Sequence, residues 1–259
     1  MDIIQENENI FRITTPYKDI FTTVYLIKTK KGALLFDCAS YGTDVDNYII
    51  RFLNEIGVND IKYVFISHNH TDHAGGLKAF MTRFSDVCIV TRSKALKESF
   101  SDYKVLLSND GDTLLDVLKV VTIPGHTADA QGILDTRTNT LISGDCLQMY
   151  GIYGSGAWGA NITLPKRHFD ALDKLEKMQI ENLLTAHDYH PKGYKYVGKN
   201  EVAFAINACR EPLLKVEEII KNNTALTDVE IAEKYNELKL PRLSERVVAA
   251  VREYINKGD

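Results

Sequence analysis

The residues best suited to chemistry lie in one short segment, VFISHNHTDHAGG, residues 64–76. Three of the seven histidines in the chain and one aspartate fall between His68 and His73. An apolar run of strand type ends here, and residues two apart on an extended chain can face the same side, so His68 and His70 can present two imidazoles to one metal ion. Asp72 and His73 begin the next predicted helix, where the helix dipole favours a carboxylate, and they can serve a second ion.

Single titratable residues at the ends of three later strands can complete a metal centre. His126 lies in TIPGHTAD, Asp145 in LISGDC and His187 in LLTAHD, and each follows an apolar run. Taken one at a time, Asp145 also fits an aspartate that caps a turn, and His126 and His187 also fit surface histidines. In the same way, residues 64–76 alone also fit a polar loop. Together they favour a metal site, and histidine and carboxylate ligands without thiolate indicate zinc, iron or manganese.

Strands and helices alternate along most of the chain and must position these residues. Strands are predicted in TTVYLIKT, GALLFDCA, KYVFIS, VCIVTR, LKVVTIPG, AQGILDT, TLISGD and NLLTAH. Helices are predicted in DVDNYIIRFLNEIG, GGLKAFMTRF, SKALKESF and HFDALDKLEKM. From about Asn200 onward the pattern is helical only, with a capping box in TDVE, residues 227–230. This order predicts a layered α/β domain over residues 1–199 and a helical segment over residues 200–259 that packs on it.

The composition narrows the class of protein. Of the 259 residues, 44% are hydrophobic and 25% are charged, the ordinary mixture of a globular chain. The formal net charge is −4, so a nucleic-acid partner is not expected. No apolar run reaches the roughly 18 residues that span a bilayer, and the opening MDIIQENENIFRITT lacks the character of a signal peptide. The four cysteines are widely spaced and fit free thiols in a reducing cytosol. We therefore expect a cytoplasmic protein, and the lack of a long apolar run predicts no membrane partner.

The first segment matches the H-x-H-x-D-H signature, and the chain therefore resembles the metallo-β-lactamase superfamily. The resemblance runs from about Val24 to about His187. TVYLIKTKKGALLFDCA is similar to the family's opening strands, and PGHT, SGD and AH are similar to its later motifs, in the same order. It implies an α/β fold, a four-layer αβ/βα sandwich with the metal site at one edge between two β-sheets. The residue before His187 is Ala186, where the family usually has glycine.

The resemblance also implies a role for each titratable residue of the motifs. The first metal ion would be bound by three histidines, His68, His70 and His126. The second would be bound by Asp72, His73 and His187, and Asp145 would bridge both ions. Asp72 would also orient the attacking hydroxide. The expected cofactors are two divalent ions, zinc first, with iron or manganese as alternatives.

Three further residues near these motifs are interpreted as supports or alternatives. Asp37 lies toward the end of a predicted strand and completes neither set of ligands. We expect it to hold a ligand in place or to brace a loop, and the alternative is an ordinary turn residue. His190 is an alternative ligand to His187. His168 opens a predicted helix and is interpreted as structural or substrate-facing rather than as a ligand.

The complete ligand set narrows the reaction that the resemblance implies. Antibiotic-cleaving members typically lack the bridging aspartate, flavodiiron members replace the second histidine by glutamate, and RNA-processing members usually add a large domain or a basic arm. There remain the glyoxalase II-like and lactonase-like members, in which a metal-bound hydroxide attacks the carbonyl of a small thioester, ester or lactone. The alternatives are a phosphodiesterase or nuclease on the same site, a mononuclear-iron dioxygenase of the persulfide type, and a non-enzymatic binding protein.

Substrate contacts are expected from the loops. The segment MYGIYGSGAWGA places Tyr150 and Trp158 among glycines, which suits a mobile aromatic lid. The segment YHPKGYKY supplies Lys192 and Tyr194, which can receive an acidic end of the substrate. Loop aromatics and lysines are also common without any such role. The expected partner is a small molecule, and an assembly of identical chains is left open.

Overall fold

The computed structural model describes residues 3–153 and 157–257, and its first seven strands form one mixed sheet. The strands are β1 (Ile4–Gln5), β2 (Ile10–Tyr17), β3 (Ile20–Thr29), β4 (Gly32–Phe36), β5 (Ile61–Phe65), β6 (Cys88–Thr91) and β7 (Val105–Leu107). They follow one another across the sheet in sequence order. The pairs from β1 to β4 are antiparallel, and the pairs from β4 to β7 are parallel, because helical crossovers connect the latter.

Six later strands form the second sheet. They are β8 (Thr113–Leu114), β9 (Leu118–Thr122), β10 (Gln131–Asp135), β11 (Thr140–Ile142), β12 (Asn182–Tyr189) and β13 (Gly193–Val197). Their order across the sheet is β13-β12-β11-β10-β9-β8. The strand β13 corrects the sequence analysis, which treats YHPKGYKY as a loop. It pairs antiparallel with β12, and Pro191 and Gly193 supply the tight connection between them.

The helices lie where the periodicity predicts them. They are α1 (Gly42–Asp44), α2 (Arg51–Glu55), α3 (Thr71–Ala74), α4 (Leu77–Arg83), α5 (Lys94–Ser99), α6 (Pro165–Glu176), α7 (Lys199–Asn222), α8 (Asp228–Asn236) and α9 (Glu245–Lys257). A π-helical segment, Val45–Ile50, joins α1 to α2. The predicted capping box is confirmed, since Thr227 and Glu230 bond each other's backbone at the start of α8. Within residues 3–153 and 157–257, no helix is both long and apolar enough to cross a membrane.

The chain divides into two compact units. The first unit consists of Met1–Val121 and Ile133–Thr136, and the second consists of Thr122–Gly132 and Arg137–Asp259. The three C-terminal helices α7, α8 and α9 belong to the second unit. The division of the chain at residue 199 stays a prediction.

Each unit has an apolar core of its own. In the first unit, buried residues from the sheet pack against those of α2 and α4, among them Val24, Leu35, Phe52, Val64 and Phe80. In the second unit, one face of each C-terminal helix contributes to a core that includes Leu213, Val216, Ile231, Tyr235 and Val248. The core of the first unit includes Ile66 and Leu77, which border the histidine segment (residues 68–73) on either side.

Candidate metal centre

In the first unit, the histidine segment forms a compact cluster of donors just after β5. His68, Asp72 and His73 are buried, and His70 is exposed. The ring atoms His68 Nε2 and His70 Nδ1 lie 2.9 Å apart. Two ring nitrogens at this distance need one proton or one cation between them, because two lone pairs would repel each other. The predicted convergence of His68 and His70 on one point is therefore observed within this unit.

Two glycines at the junction of α3 and α4 let the chain lie against the loop that follows β4. A Cβ atom on Gly75 would stand 1.9 Å from the carbonyl oxygen of Ser40, and one on Gly76 would stand 2.1 Å from that of Cys38. No side chain fits at either position without moving the backbone. The close approach brings residues 37–40 beside Asp72 and His73, and Cys38 N donates to His73 O at 2.7 Å.

Asp37 is the residue that holds His73 in place. Its carboxylate is 1% exposed and accepts hydrogen bonds from Ser67 N (2.7 Å), Ser67 Oγ (2.8 Å) and His73 Nδ1 (2.7 Å). Burial raises the pKa of Asp37, and His73 and Ser67 oppose that rise because they favour the charged carboxylate. Since Nδ1 of His73 carries the donated hydrogen, Nε2 is the nitrogen that can present a lone pair.

The other nitrogen of His73 faces a second carboxylate. His73 Nε2 lies 3.3 Å from Asp72 Oδ2. A lone pair and a carboxylate oxygen are stable at this separation only with a positive charge shared between them, either a proton on His73 or a metal ion. The donors of this unit thus have the chemistry that a divalent cation requires.

In the second unit, three segments remote in sequence bring their titratable residues together. His126 follows β9, Asp145 lies in the 3-10 turn Gly144–Cys146, and His187 lies in β12. His187 Nε2 is 3.2 Å from Asp145 Oδ1, and His126 Nε2 is 3.8 Å from Asp145 Oδ2. All three side chains are buried. One carboxylate with an imidazole beside each oxygen is the arrangement expected of an aspartate that binds cations on both sides.

Two residues that the sequence analysis did not single out contact these groups. The hydroxyl of Tyr189 donates to Asp145 Oδ1 at 2.8 Å, and Gln148 Nε2 lies 3.1 Å from His126 Nδ1. Tyr189 stands two positions after His187 on β12, so the two-residue period of a strand could have indicated it. Gln148 lies 22 positions from His126 and carries no such local signal.

The structure also places the alternative ligand. The His190 ring lies against that of Tyr153, tilted by 35° with ring centroids 4.4 Å apart, whereas His187 faces Asp145. Of the two alternatives, His187 and His190, it is therefore His187 that faces the aspartate.

The residues predicted to contact substrate lie in the second unit. Tyr150 donates a hydrogen bond to Glu211, and the backbone carbonyl of Trp158 accepts from Ile152 N at 2.7 Å. Lys192 forms an ion pair with Glu201, and Tyr194 lies in β13. Residues 154–156 of the predicted aromatic lid lie outside the described residues. A role in substrate binding stays a prediction for all four residues.

His168 is buried, as expected of a structural residue. Its burial should make the stability of the fold depend on pH. Burial lowers its pKa to about 3, with Arg210 and His126 acting in the same direction, against the ordinary 6.5. Below pH 6.5 the unfolded chain therefore binds a proton that the folded chain does not, so stability falls as the pH drops toward 3. At pH 5 this costs about 2 kcal/mol.

Urea unfolding with chelator present, at pH 7 and pH 5, measures this effect. Between the two pH values the wild-type chain should lose about 2 kcal/mol more than His168→Leu, which has no proton to bind. Equal losses in the two proteins would show that His168 is not the group responsible.

Comparisons with known proteins agree with this geometry. Residues 17–187 match the family model described as the Metallo-beta-lactamase superfamily. The hydroxyacylglutathione hydrolase of Prochlorococcus marinus (strain MIT 9301) is 25% identical over 208 residues, which cover 75% of this chain and 72% of that protein. The uncharacterized protein YobT of Bacillus subtilis (strain 168) is 28% identical over 185 residues, 62% of this chain and 76% of that protein.

Two solved structures resemble the chain over 81% and 96% of its length. A metallo-beta-lactamase family protein from Thermus thermophilus has a TM-score of 0.70 at 18% identity, covering 96% of this chain and 93% of that one. The DIM-1 metallo-beta-lactamase has a TM-score of 0.63 at 15% identity, covering 81% of this chain and 97% of that one. At these identities the likeness concerns the fold.

The two mixed sheets and their interleaved helices are the α/β sandwich of metallo-β-lactamases, as predicted. This chain belongs to the metallo-β-lactamase superfamily. It is a metal-dependent hydrolase of that superfamily, which confirms the predicted class of enzyme. Its described residues include groups of histidine and aspartate that could hold a metal ion.

Proposed function

We propose that this protein hydrolyses a small thioester, ester or lactone with the help of two divalent metal ions. The observation that carries the proposal is the environment of Asp145, whose two carboxylate oxygens each face an imidazole nitrogen. A carboxylate in this setting is suited to bridge two cations. Family membership supports the same chemistry, because the matched residues 17–187 include all the proposed donors.

Seven side chains would hold the ions. The first ion would take three histidines, His68, His70 and His126. The second would take Asp72, His73 and His187, with Asp145 shared between the two ions. Imidazole and carboxylate donors suit zinc, and iron or manganese fit the same donors. When bound, two such ions supply a water of lowered pKa and polarise the carbonyl to be attacked.

Other contacts of the chain keep these donors in the state needed for binding. Asp37 fixes His73 with the hydrogen on Nδ1, so that Nε2 is available. Asp72 would orient the attacking water through its carboxylate, which lies beside His73. The hydroxyl of Tyr189 donates to Asp145 and limits the rotation of that carboxylate.

The substrate class is chosen from the relatives and the ligand set. The hydroxyacylglutathione hydrolase relative, at 25% identity, supports an acyl thioester as the first substrate to test, with esters and lactones beside it. We propose a small-molecule partner, no nucleic-acid partner and a cytoplasmic location. Tyr150, Trp158, Lys192 and Tyr194 are proposed substrate contacts, and self-assembly of the chain is left open.

The test is a substrate panel on purified protein that has been stripped of metal and reloaded with zinc, iron or manganese. We expect turnover of acyl thioesters, esters or lactones that a chelator abolishes and metal restores. Turnover of bis-nitrophenyl phosphate alone would favour a phosphodiesterase. One iron per chain with oxygen uptake on a persulfide would overturn the proposed hydrolysis of these substrates in favour of a dioxygenase reaction.

A further inference from the structure

The ring of His126 has two hydrogen-bonding neighbours at the same nitrogen. His126 Nδ1 lies 2.6 Å from the carbonyl oxygen of Asn161 and 3.1 Å from the side-chain nitrogen of Gln148. The carbonyl can only accept a hydrogen, and the amide nitrogen can only donate one. A single ring nitrogen cannot satisfy both neighbours at once, because in each tautomer it is either a donor or an acceptor.

The orientation of the Gln148 amide is fixed by a third contact. Its Oε1 accepts a hydrogen bond from Asn161 N at 2.6 Å, and a backbone N–H requires an oxygen there. The NH₂ end must therefore face His126. Gln148 is 5% exposed, so water does not substitute readily for either partner.

The two tautomers of His126 differ in their ability to bind a cation. With the hydrogen on Nδ1, donated to Asn161, Nε2 keeps the lone pair and faces Asp145. With Nδ1 accepting from Gln148, the hydrogen moves to Nε2 and the ring cannot serve as a ligand on that side. The exchange changes no net charge. Each form satisfies one neighbour and opposes the other: the first sets an N–H against the Gln148 amide, and the second sets a lone pair against the Asn161 carbonyl oxygen.

We propose that Gln148 is a positioning residue that poises His126 between a tautomer able to bind metal and one that is not. Its oxygen holds the Asn161 peptide that supports the first form, and its nitrogen supports the second. The inference rests on the proposed role of His126 as a metal ligand. It gives the chain a means of setting how tightly this ligand retains a metal ion.

Gln148→Glu and Gln148→Met separate the two functions of the amide. Glutamate keeps an oxygen for Asn161 N and replaces the NH₂ donor with an acceptor, so it favours the hydrogen on Nδ1. Methionine fills a similar volume and removes both groups. Nitrogen-15 NMR of the imidazoles, on metal-free protein at about pH 8.5 where an ordinary histidine is neutral, reports the tautomer directly. The His126 signals are assigned by their loss in His126→Gln.

We expect averaged ring-nitrogen shifts in the wild type, typical of two tautomers, and shifts of a single Nδ1–H tautomer in Gln148→Glu. Zinc affinity, measured by competition with a chromophoric chelator, should be about tenfold higher in Gln148→Glu than in Gln148→Met. The same tautomer in all three proteins, or equal zinc affinity in the two variants, would overturn the proposal. If zinc leaves the His126 signals of the wild type unchanged, the proposed ligand role fails instead, and the metal-free spectra still decide the role of Gln148.

Discussion

Asp145→Ala is expected to abolish hydrolysis and to lower the metal content of the purified protein. The substitution removes the carboxylate that faces both His126 and His187, so neither proposed ion keeps its shared ligand. Stabilisation of the transition state by metal ions amounts to several kcal/mol, and 1.36 kcal/mol is a factor of ten, so activity should fall about 1,000-fold or more. Metal analysis and initial rates on the best substrate of the panel measure both effects.

Asp188→Ala is the matched control for that substitution. Asp188 is exposed on β12 between His187 and Tyr189, and because side chains alternate along a strand it points away from both. The metal content and the hydrolysis rate of Asp188→Ala should equal those of the wild type. Full metal occupancy and normal turnover in Asp145→Ala would refute the bridging role, provided that circular dichroism shows both variants folded.

Features that depend on local sequence were predictable. The capping box at Thr227 and Glu230 spans three positions, and its hydrogen bonds follow from residue type alone. The strand β5 and the helices after it follow from hydrophobic periodicity and the paired glycines. The chemistry of the motifs could likewise be inferred, since histidine and aspartate at strand ends are donors wherever the fold places them.

Features that depend on distant contacts were not predictable from the residues alone. The strand β13 is short, and its residues Tyr194, Lys195 and Tyr196 have no strong apolar alternation, so only pairing with β12 makes it a strand. The hydrogen bond between Asp37 and His73 joins residues 36 positions apart. The resemblance to a family suggested a support role for Asp37, but its partner emerged only from the structure.

The same limit applies to the substrate contacts. Lys192 suggests a site for an acidic group when read in sequence, yet its ammonium group pairs with Glu201. Tyr150 suggests a mobile lid, yet its hydroxyl donates to Glu211 on α7. Charge and aromatic character can be read from the sequence, but whether a side chain already has a partner depends on segments tens of residues away.

Asp37→Ala should destabilise the metal-free protein and weaken its binding of zinc. The substitution leaves Ser67 N and His73 Nδ1 buried without their acceptor, and Asp37 has a φ of 62°, which alanine adopts less readily than aspartate. Together these effects should lower the free energy of unfolding by about 3 to 4 kcal/mol. Without its partner, His73 is no longer held with Nε2 available, so zinc affinity should fall about 10- to 100-fold.

Asp37→Asn separates these two effects. Asparagine tolerates the positive φ and keeps an oxygen for Ser67 N, so the free energy of unfolding should fall by only about 1 kcal/mol. Its NH₂ group, however, now faces His73 Nδ1 and favours the hydrogen on Nε2, which removes the lone pair a metal ion needs. Zinc affinity should therefore fall as far as in Asp37→Ala, as measured by chelator competition beside urea unfolding. Wild-type zinc affinity in Asp37→Asn would show that Asp37 braces the loop but does not control the tautomer of His73.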